Sequence, residues 1–477
     1  GPRRLRLGPE EVPVRSKTTL VLLAVFAGLL ALVLIFDSKG AKKKAAEEKT
    51  NTLTDLASAD VRKASLVREG ETLTFERDES GPWRLTSPLQ AAADEYEVGN
   101  FVDAFASLRI ERVVEKEAKD LSAYEIPKAE LSLWLKGQDA PVKILIGMEN
   151  PLDKSLFAKR ADDPRIVLLP SSLKTTLDKK IFDFRQKDVF KFTAADVQSV
   201  RVRAKDIAWR AVREEDGWSL KEPVAALAAK GKVDSLLDTL SGLRAKAFVA
   251  ETKTAEALKG FGLEKPEYEV GLSLPTSNQE IVFALHKEGE NSYATTSQST
   301  KVITFEGALL ADLERKVDEM REKKVADFYS WEADRVVVKR GGAEIAALKE
   351  KAGAEEKWLL DATAKEEADR AKVEDLVRKV EGLEAASFID DPGPLSSYGL
   401  DAGTEVRVRT KDPQGKEKEV VLLIGKEDAG AKQVVVKNAR LDYLFLVDSG
   451  FLQDLPKEKK DWKPAPPKTE EGPTDKK

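Results

Sequence analysis

The sequence contains no cysteine and a single histidine, His286. Without cysteine there is no disulfide, thiolate nucleophile, iron–sulfur cluster or Cys-based zinc site, and no lipidated N-terminal cysteine. One histidine leaves no multi-histidine metal site and argues against a histidine-based catalytic triad. Phosphate-binding glycine loops of the GxGxxG and GxxxxGK[ST] types are also missing. These absences remove the commonest catalytic centres, whereas a thiol-free chain fits either side of a membrane.

No concentrated basic region stands out either. The chain of 477 residues is 42% hydrophobic and 34% charged, with a formal net charge of −5 and interspersed signs. Nucleic-acid binding calls for a concentrated basic face, so no nucleic-acid partner is expected. At roughly 100–200 residues per domain, the length predicts about three domains.

One long apolar run lies near the N-terminus. Thr18 to Phe36 are nineteen residues without a charge, preceded by a basic segment, Gly1–Lys17. A run of this length nearly spans a hydrocarbon core of about 30 Å. A cleaved signal peptide is the alternative, but its apolar core is shorter and an Ala-x-Ala-like site should follow. We therefore predict a cytoplasmic tail (residues 1–17), a transmembrane helix (18–36) and a charged linker (37–58).

The orientation of this span rests on weaker signals. Lysine and arginine are equally frequent before and after it, so the positive-inside rule does not decide. A short N-terminal tail in the cytoplasm with a long translocated domain is the common single-span arrangement. We therefore expect the C-terminal domains to lie outside the cytoplasm.

The rest of the chain contains one pattern three times. A tryptophan in a short strand is followed, at identical offsets, by five apolar residues spaced for one stripe of a helix. The three copies are Trp83 with Val98, Phe101, Val102, Phe105 and Leu108; Trp218 with Val233, Leu236, Leu237, Leu240 and Leu243; and Trp358 with Val373, Leu376, Val377, Val380 and Leu383. We expect the three tryptophans to pack in hydrophobic cores rather than to form ligand-stacking platforms.

The pattern predicts an α+β fold of three tandem repeats, each an antiparallel sheet with packed helices. The predicted repeats are residues 59–192 (copy one), 193–328 (copy two) and 329–462 (copy three), followed by a disordered tail, 463–477. Each is long enough to bury its own core, and the near absence of linkers favours a semi-rigid array. Further helices are expected at Leu173–Phe184 and Leu309–Met320.

A turn of the form aromatic-Gly-Leu recurs as Phe261-Gly262-Leu263 and Tyr398-Gly399-Leu400. Glycine supplies a backbone conformation that other residues disfavour. In copy one Glu125 replaces the glycine, so we expect that turn to differ or to be strained.

Candidate catalytic or ligand-binding residues are few. The acidic pairs Asp162-Asp163 and Asp390-Asp391 precede proline and read as exposed turns, since an acid/base pair needs one buried carboxyl group. His286 follows a strand and has no histidine counterpart in the other copies. The basic pairs Lys179-Lys180 and Arg315-Lys316 suggest either an anion site or, as we favour, a solvated helix end. No catalytic, cofactor-binding or metal-binding residues are therefore assigned.

Two other tryptophans lie near copy ends. Trp331 and Trp462 lack the register of the repeat. We expect them to seal junctions or to contact a partner.

The combination of motifs resembles a known bacterial family. It comprises a single N-terminal span, the strand Trp83-Arg84-Leu85-Thr86-Ser87-Pro88, a Val-x-x-Leu-Leu helix, the aromatic-Gly-Leu turn, and Phe184-Arg185 followed by Val189-Phe190. This set is similar to domain of unknown function 4340, over nearly everything from the span to Trp462. Members of that family often accompany ABC-type transporters similar to the gliding-motility-associated GldF/GldG systems. The resemblance implies an accessory protein of the bacterial inner membrane with its C-terminal domains in the periplasm, and it supplies no catalytic residues.

The expected function is a membrane-anchored, non-enzymatic accessory or scaffold subunit of an envelope ABC transport complex. Its expected partners are inner-membrane lipid and the permease and ATPase subunits, and no cofactor is expected. The alternatives are an anchored binding module for cell-wall glycan, lipid or lipoprotein, and a carboxylate-dependent hydrolase, which no recurring acidic constellation favours.

Overall fold

The computed structural model describes residues 51–352, 355–361 and 366–465. The predicted tail (1–17), span (18–36) and start of the linker (37–50) lie outside the described residues, as do residues 466–477. Within the described ranges no helix is both long and apolar enough to cross a membrane. The chain divides into two compact units, Gly1–Lys187 and Asp188–Lys477. The first contains copy one, and the second contains copies two and three.

Copy one is built on a nine-stranded antiparallel sheet with the order β4-β3-β2-β1-β6-β7-β8-β9-β5. Its strands are β1 (Val61–Arg68), β2 (Glu71–Glu76), β3 (Arg84–Ser87), β4 (Ala91–Ala92), β5 (Arg112–Glu115), β6 (Ala129–Leu135), β7 (Val142–Glu149), β8 (Leu156–Arg160) and β9 (Ile166–Leu169). The helix α1 (Glu95–Ala106) joins the two outermost strands, β4 and β5.

Copies two and three repeat this order strand for strand. Copy two contains β10 (Ser199–Ala204), β11 (Ile207–Glu214), β12 (Gly217–Glu222), β13 (Ala226–Leu227), β14 (Ala245–Ala250), β15 (Tyr268–Ser273), β16 (Ile281–Glu288), β17 (Asn291–Thr296) and β18 (Val302–Phe305). Copy three contains β19 (Ala333–Arg340), β20 (Ala343–Ala352), β21 (Glu355–Asp361), β22 (Glu366–Glu367), β23 (Ala385–Ile389), β24 (Thr404–Lys411), β25 (Glu417–Asp428), β26 (Gln433–Asn438) and β27 (Leu444–Asp448). The three tandem α+β repeats are thereby confirmed.

One amphipathic helix packs against each sheet. In order along the chain the helices are α1, α2 (Leu173–Leu177), α3 (Lys230–Ser241), α4 (Ala255–Gly260), α5 (Leu309–Leu313) and α6 (Arg370–Glu381). The predicted apolar stripes of α1, α3 and α6 are all buried in the cores. Burying each such side chain contributes roughly 1.5–3 kcal/mol. The stripe therefore supplies a large share of what holds each helix on its sheet.

The repeated tryptophans pack in these cores, as predicted. Trp83, Trp218 and Trp358 are at most 3% exposed. A cation lies over each ring, namely Arg77 at 4.5 Å, Arg213 at 4.3 Å and Lys349 at 5.1 Å from the centroid. In copy two the indole Nε1 also donates to Asp234 of α3 at 2.9 Å. In copy three the Nε1 of Trp358 donates to Glu374 of α6 at 3.4 Å, so in copies two and three the tryptophan links the third strand of the sheet to its helix.

The helices predicted after the sheets are shorter than expected. The segment Leu173–Phe184 is helical only in α2, because Lys180 and Asp183 form a hydrogen-bonded turn beyond it. The segment Leu309–Met320 is helical in α5 and then forms a separate 3-10 turn, Val317–Glu319. Apolar spacing predicted one continuous helix in each case, whereas the backbone leaves the α-helical conformation after Leu177 and after Leu313.

The copies begin earlier than predicted. Leu53, inside the predicted linker 37–58, is buried in the core of copy one, and Leu53 N donates to Leu108 O at 2.9 Å. Val189 N and Val325 N make the equivalent bonds, to Leu243 O and Leu383 O, at 3.0 Å each. The segment before each predicted boundary therefore belongs to the copy that follows it.

The recurring turn is the same in copies one and three despite the glutamate. Glu125 has φ +51° and Gly399 has φ +70°, both left-handed. The turn is thus strained in copy one rather than different. In copy two, His286 covers the turn so closely that a Cβ on Gly262 would lie 2.2 Å from its ring. His286 is therefore a packing residue of this turn.

Candidate protein-contact site at the junction of copies two and three

Residues 320–325 connect copy two to copy three and are hydrogen-bonded to both. Toward copy two the segment pairs with residues beside β13, and toward copy three with residues beside β23. The bonds run from Ala229 N to Met320 O (2.8 Å), from Glu322 N to Leu227 O (2.9 Å), from Ala385 N to Lys323 O (2.8 Å) and from Val325 N to Leu383 O (3.0 Å). The junction is therefore a continuation of strand pairing instead of a free linker.

Arg321 lies at the centre of this junction and is 1% exposed. Its guanidinium carbon is 3.7 Å from the ring centroid of Phe388 and 4.8 Å from that of Tyr443, both in copy three. Its Nη2 lies 2.7 Å from Oδ1 of Asp390. Guanidinium groups stack well on aromatic faces and gain most where water is excluded. Arg321 therefore holds the end of copy two against copy three.

Two further side chains of copy three reach the connecting segment. The Tyr443 hydroxyl accepts from Leu227 N at 3.4 Å, and Asn438 Nδ2 donates to Val325 O at 2.8 Å. Burial raises the pKa of Tyr443 above its ordinary value of 10.0. The phenol is consequently neutral at physiological pH, and the positive charge of Arg321 faces Asp390.

A cleft of about 650 Å³ lies beside these contacts, between copies two and three. Its floor is apolar, and its rim carries both signs of charge. The lining residues are Asp216, Gly217, Trp218, Leu227, Ala228, Lys230, Glu322, Lys324, Val325, Asp327, Lys416, Glu417, Lys418, Val420, Asn438, Arg440 and Leu441. Clefts between domains are common places for ligands and partner segments.

An exposed aromatic pair lies two residues beyond the cleft. Tyr329 and Trp331 are 54% and 68% exposed, and their rings stack at 4.3 Å with an interplanar angle of 19°. They lie on the 3-10 turn Ser330–Glu332 that leads into β19. Trp331, predicted as a partner contact, is thus accessible.

The same turn in the other copies has no aromatic residues. Copy one has Ala57 and Ala59 at the corresponding positions, and copy two has Thr193 and Ala195. Both turns form the same 3-10 geometry with small side chains. Folding of the turn therefore does not require the aromatic pair.

Trp462, expected either to seal a junction or to contact a partner, is not exposed for a partner contact. Its ring is 2% exposed in the core of copy three, and Asp369 N donates to its carbonyl oxygen at 2.6 Å. Phe184 and Met320 occupy the corresponding place in copies one and two, since their carbonyls accept from Asp94 N and Ala229 N. A buried ring with this structural role offers no surface to a partner.

The acidic pairs are neutralised by arginine or lie in the junction. Asp162 and Asp163 bind Arg160 and Arg165, whose hydrogen bonds hold the pKa of each carboxyl below its ordinary value. Asp390 pairs with Arg321. A general acid needs a raised pKa, so the Asp162-Asp163 pair is not arranged for that role.

The basic pairs are likewise engaged within their own copies. Lys179 forms an ion pair with Glu97, and Arg315 forms one with Asp312. Within the part of the chain that the structure describes, no group of three or more His, Asp or Glu side chains is placed to hold a metal ion.

Sequence reasoning missed Arg321 and the cleft. A signal was present, because Phe184-Arg185-Gln186-Lys187 and Met320-Arg321-Glu322-Lys323 put an arginine at the same place in two copies. Its partners lie far along the chain, Phe388 on β23 and Tyr443 immediately before β27, and the sequence does not reveal how these strands pair.

Comparison with known proteins gives one strong similarity. A family model described as Domain of unknown function (DUF4340) matches residues 83–226, 218–403 and 358–464. The matches begin at Trp83, Trp218 and Trp358, so each starts at or next to the third strand of a sheet, and the first two run into the next copy. The unit of the family model is thus offset from the structural repeat.

The other comparisons carry no functional argument. None of the curated proteins matches the sequence. Among solved structures, a DNA polymerase sliding clamp from Pseudomonas aeruginosa, crystallised with a ligand, is similar at TM-score 0.15 and 8% identity, over 83% of this chain and 93% of that one. A TM-score this low supports neither a shared fold nor a shared role. The three successive matches cover most of the sequence, and the chain belongs to the DUF4340 family.

Proposed function

We propose that this protein is a membrane-anchored, non-enzymatic accessory or scaffold subunit of a bacterial envelope ABC transport complex. Its tandem domains make protein contacts in the periplasm, and its partners are the permease and ATPase subunits. The observation that carries the proposal is the exposed, stacked pair of Tyr329 and Trp331.

Aromatic residues of this kind suit a protein contact. Tyrosine and tryptophan dominate the energetics of protein interfaces, because they bury a large area at a small cost in conformational entropy. Tyr329 and Trp331 are exposed, while alanine and threonine occupy the corresponding turns of the other copies. The pair therefore contributes surface that the fold itself does not need.

The junction supports the proposal by holding this surface in place. Arg321 and the strand pairing of residues 320–325 join copy two to copy three just before the aromatic turn. A surface that is rigid before binding loses less conformational entropy on association. This is the property expected of a scaffold.

The membrane anchor in this proposal is the uncharged run Thr18–Phe36, outside the described residues. Its length and composition support a single span of the inner membrane. The transporter as partner follows from the family resemblance given above.

The second candidate is an anchored binding module for cell-wall glycan, lipid or lipoprotein. The stacked rings favour it, because exposed aromatic faces also bind sugar rings. It predicts that glycan fragments, rather than proteins, compete for Trp331.

Co-purification tests the proposal. Tagged full-length chain is extracted in mild detergent, and the recovered proteins are compared for wild type, the double variant Tyr329→Ala/Trp331→Ala, and Tyr96→Ala. Tyr96 is a matched control, because it is 74% exposed on α1 of copy one. We expect wild type and Tyr96→Ala to recover an ATPase and a permease, and the double variant to lose them. If the wild-type chain is recovered without an ATPase or a permease, or if all three chains recover these partners equally, the proposal is contradicted.

A further inference from the structure

The cleft between copies two and three carries more positive charge than its own acids neutralise. Lys324, Lys416 and Arg440 line it, and none of the three side chains has an ion-pair partner among the described residues. The other lysines of the rim are engaged, Lys230 with Asp234 and Lys418 with Asp327.

The acids of the cleft are mostly engaged as well. Asp327 pairs with Lys418 at 3.0 Å, and Glu417 lies 3.8 Å from Lys411. The Glu322 carboxylate accepts from Lys324 N at 2.9 Å. Asp216 is the remaining acid of the lining. Three cations without an ion pair therefore face two carboxylates without one, Asp216 and Glu322, which leaves the cleft with an excess of one positive charge.

The floor of the same cleft is apolar and partly open. Leu227 is 41% exposed on the short strand β13, and Val420 and Leu441 of copy three also line the cleft. An apolar floor with a positive rim suits an amphipathic chain, with side chains packed on the floor and carboxylates at the rim. A free inorganic anion would leave the floor unused.

The aromatic pair lies close to the cleft along the chain. Asp327 lines the cleft, and Tyr329 and Trp331 follow it in the sequence. At no more than about 3.6 Å per residue, Tyr329 lies within roughly 7 Å of Asp327 along the backbone. A partner segment in the cleft therefore has the stacked rings within reach, on the two copies that Arg321 joins.

We infer that this cleft binds an acidic, extended segment of a partner protein, with an apolar side chain on Leu227, Val420 and Leu441 and carboxylates at Lys324, Lys416 and Arg440. The inference rests on the scaffold function proposed above and names the chemistry of the partner.

Binding of a defined peptide to the purified full-length chain tests it. The probe is a fluorescein-labelled twelve-residue peptide of alternating Glu and Leu, and a peptide of alternating Lys and Leu is the charge-reversed probe. Fluorescence anisotropy is measured for wild type, Lys416→Glu/Arg440→Glu and Lys119→Glu/Lys259→Glu. Lys119 and Lys259 are exposed and outside the cleft, so the last variant makes the same change in net charge.

We expect the Glu/Leu probe to bind wild type and the Lys119→Glu/Lys259→Glu control alike. Lys416→Glu/Arg440→Glu should weaken binding about tenfold or more, because two attractions become repulsions. The Lys/Leu probe should bind wild type less tightly than the Glu/Leu probe. Equal weakening by both charge-reversal variants, or equal binding of both probes, would overturn the inference.

Two further outcomes separate the possible occupants and proposals. An unlabelled peptide of residues 466–477 is compared with the unlabelled Glu/Leu peptide as a competitor. If the first competes more strongly, the cleft binds the chain's own tail, and the inference of a partner segment is overturned. If the Glu/Leu probe binds as expected but co-purification does not depend on Tyr329 and Trp331, the scaffold proposal fails and the cleft assignment stands. If co-purification depends on the pair but the probe does not bind, only the cleft assignment fails.

Discussion

Arg321 at the end of copy two stacks on Phe388 of copy three, with its guanidinium carbon 3.7 Å from the ring centroid. The side chain is buried, and Tyr443 covers it at 4.8 Å on a second ring. Arg321 thus adds a buried side-chain contact to the strand pairing that joins the two copies. The rigidity of the proposed contact surface depends in part on this contact.

Replacing Arg321 should loosen copies two and three. Arg321→Ala removes two cation–π contacts and the ion pair with Asp390, and we expect it to lower the free energy of unfolding by about 2–3 kcal/mol. Arg321→Lys keeps the charge but loses the planar stacking, so a loss of about 1 kcal/mol is expected. Urea titration followed by tryptophan fluorescence measures both.

Arg378→Ala is the control for these variants. Arg378 is 58% exposed on α6 and pairs with Asp375 at 3.1 Å, which at the surface contributes less than about 1 kcal/mol. If Arg321→Ala destabilises no more than this control, the stacked guanidinium does not hold the junction.

Replacing a buried tryptophan should destabilise the protein much more than replacing an exposed one. Trp358→Ala empties a core position and should cost about 3–5 kcal/mol of stability. Trp331→Ala removes an exposed ring and should change stability by less than about 0.5 kcal/mol. Thermal unfolding of the two variants in the same buffer makes the comparison. A large loss of stability in Trp331→Ala would mean that the ring packs structurally and is not reserved for a partner.

The repeat was readable from sequence because its signal is local. Trp83 and the stripe of α1 lie within one short stretch, and the same stretch recurs twice with every offset kept. The spacing of apolar side chains within one helix can be recognised whatever the helix packs against. The fold class and the buried tryptophans followed from that.

The edge strands that follow the helices could not be predicted from the sequence. β5 pairs with β9, and β14 pairs with β18, each about fifty residues further along the chain. The sequences of β5 and β14 are short and partly polar, because they are outermost strands. Their place is set by long-range pairing that no local pattern reports.

The core position of Trp462 could not be predicted from the sequence because copy three ends differently. Phe184 and Met320 occupy its place in the other copies, but a few extra residues in copy three shift the spacing and hide the equivalence. Trp331 was singled out by the same reasoning and is exposed. The absence of a tryptophan at the equivalent positions of the other copies therefore does not distinguish a core residue from a surface residue.

The strained turn of copy one predicts a stabilising substitution. Glu125 has φ +51°, which costs a non-glycine residue roughly 1 kcal/mol. Glu125→Gly relieves this at the cost of some unfolded-state entropy, so we expect a net gain of a few tenths of a kcal/mol, up to about 1 kcal/mol. Gly399→Glu, the reverse change in copy three, should lose about 1 kcal/mol or more, since a Cβ there lies 3.0 Å from Lys426 Cγ. If urea titration showed that Glu125→Gly destabilises the protein and Gly399→Glu stabilises it, the two turns would not be equivalent.

The end of copy three should respond to acid through Glu366. Lys459 Nζ lies 2.7 Å and Lys463 Nζ 2.5 Å from its carboxylate oxygens, and these hydrogen bonds lower its pKa from 4.5 to about 2. A carboxyl group with a pKa lower in the folded than in the unfolded state stabilises the fold above the unfolded value. That contribution is lost as the pH falls from 4.5 towards 2.

The difference in stability between wild type and Glu366→Gln isolates this effect. We expect wild type to be the more stable at neutral pH and the difference to vanish between pH 4.5 and about 2, as measured by urea titration at a series of pH values. Glu381→Gln, a change at a partly exposed residue of α6, controls for the loss of one negative charge and should show no such window. A wild-type advantage that stays constant down to the lowest pH would mean that the two lysines do not hold the Glu366 carboxylate in solution.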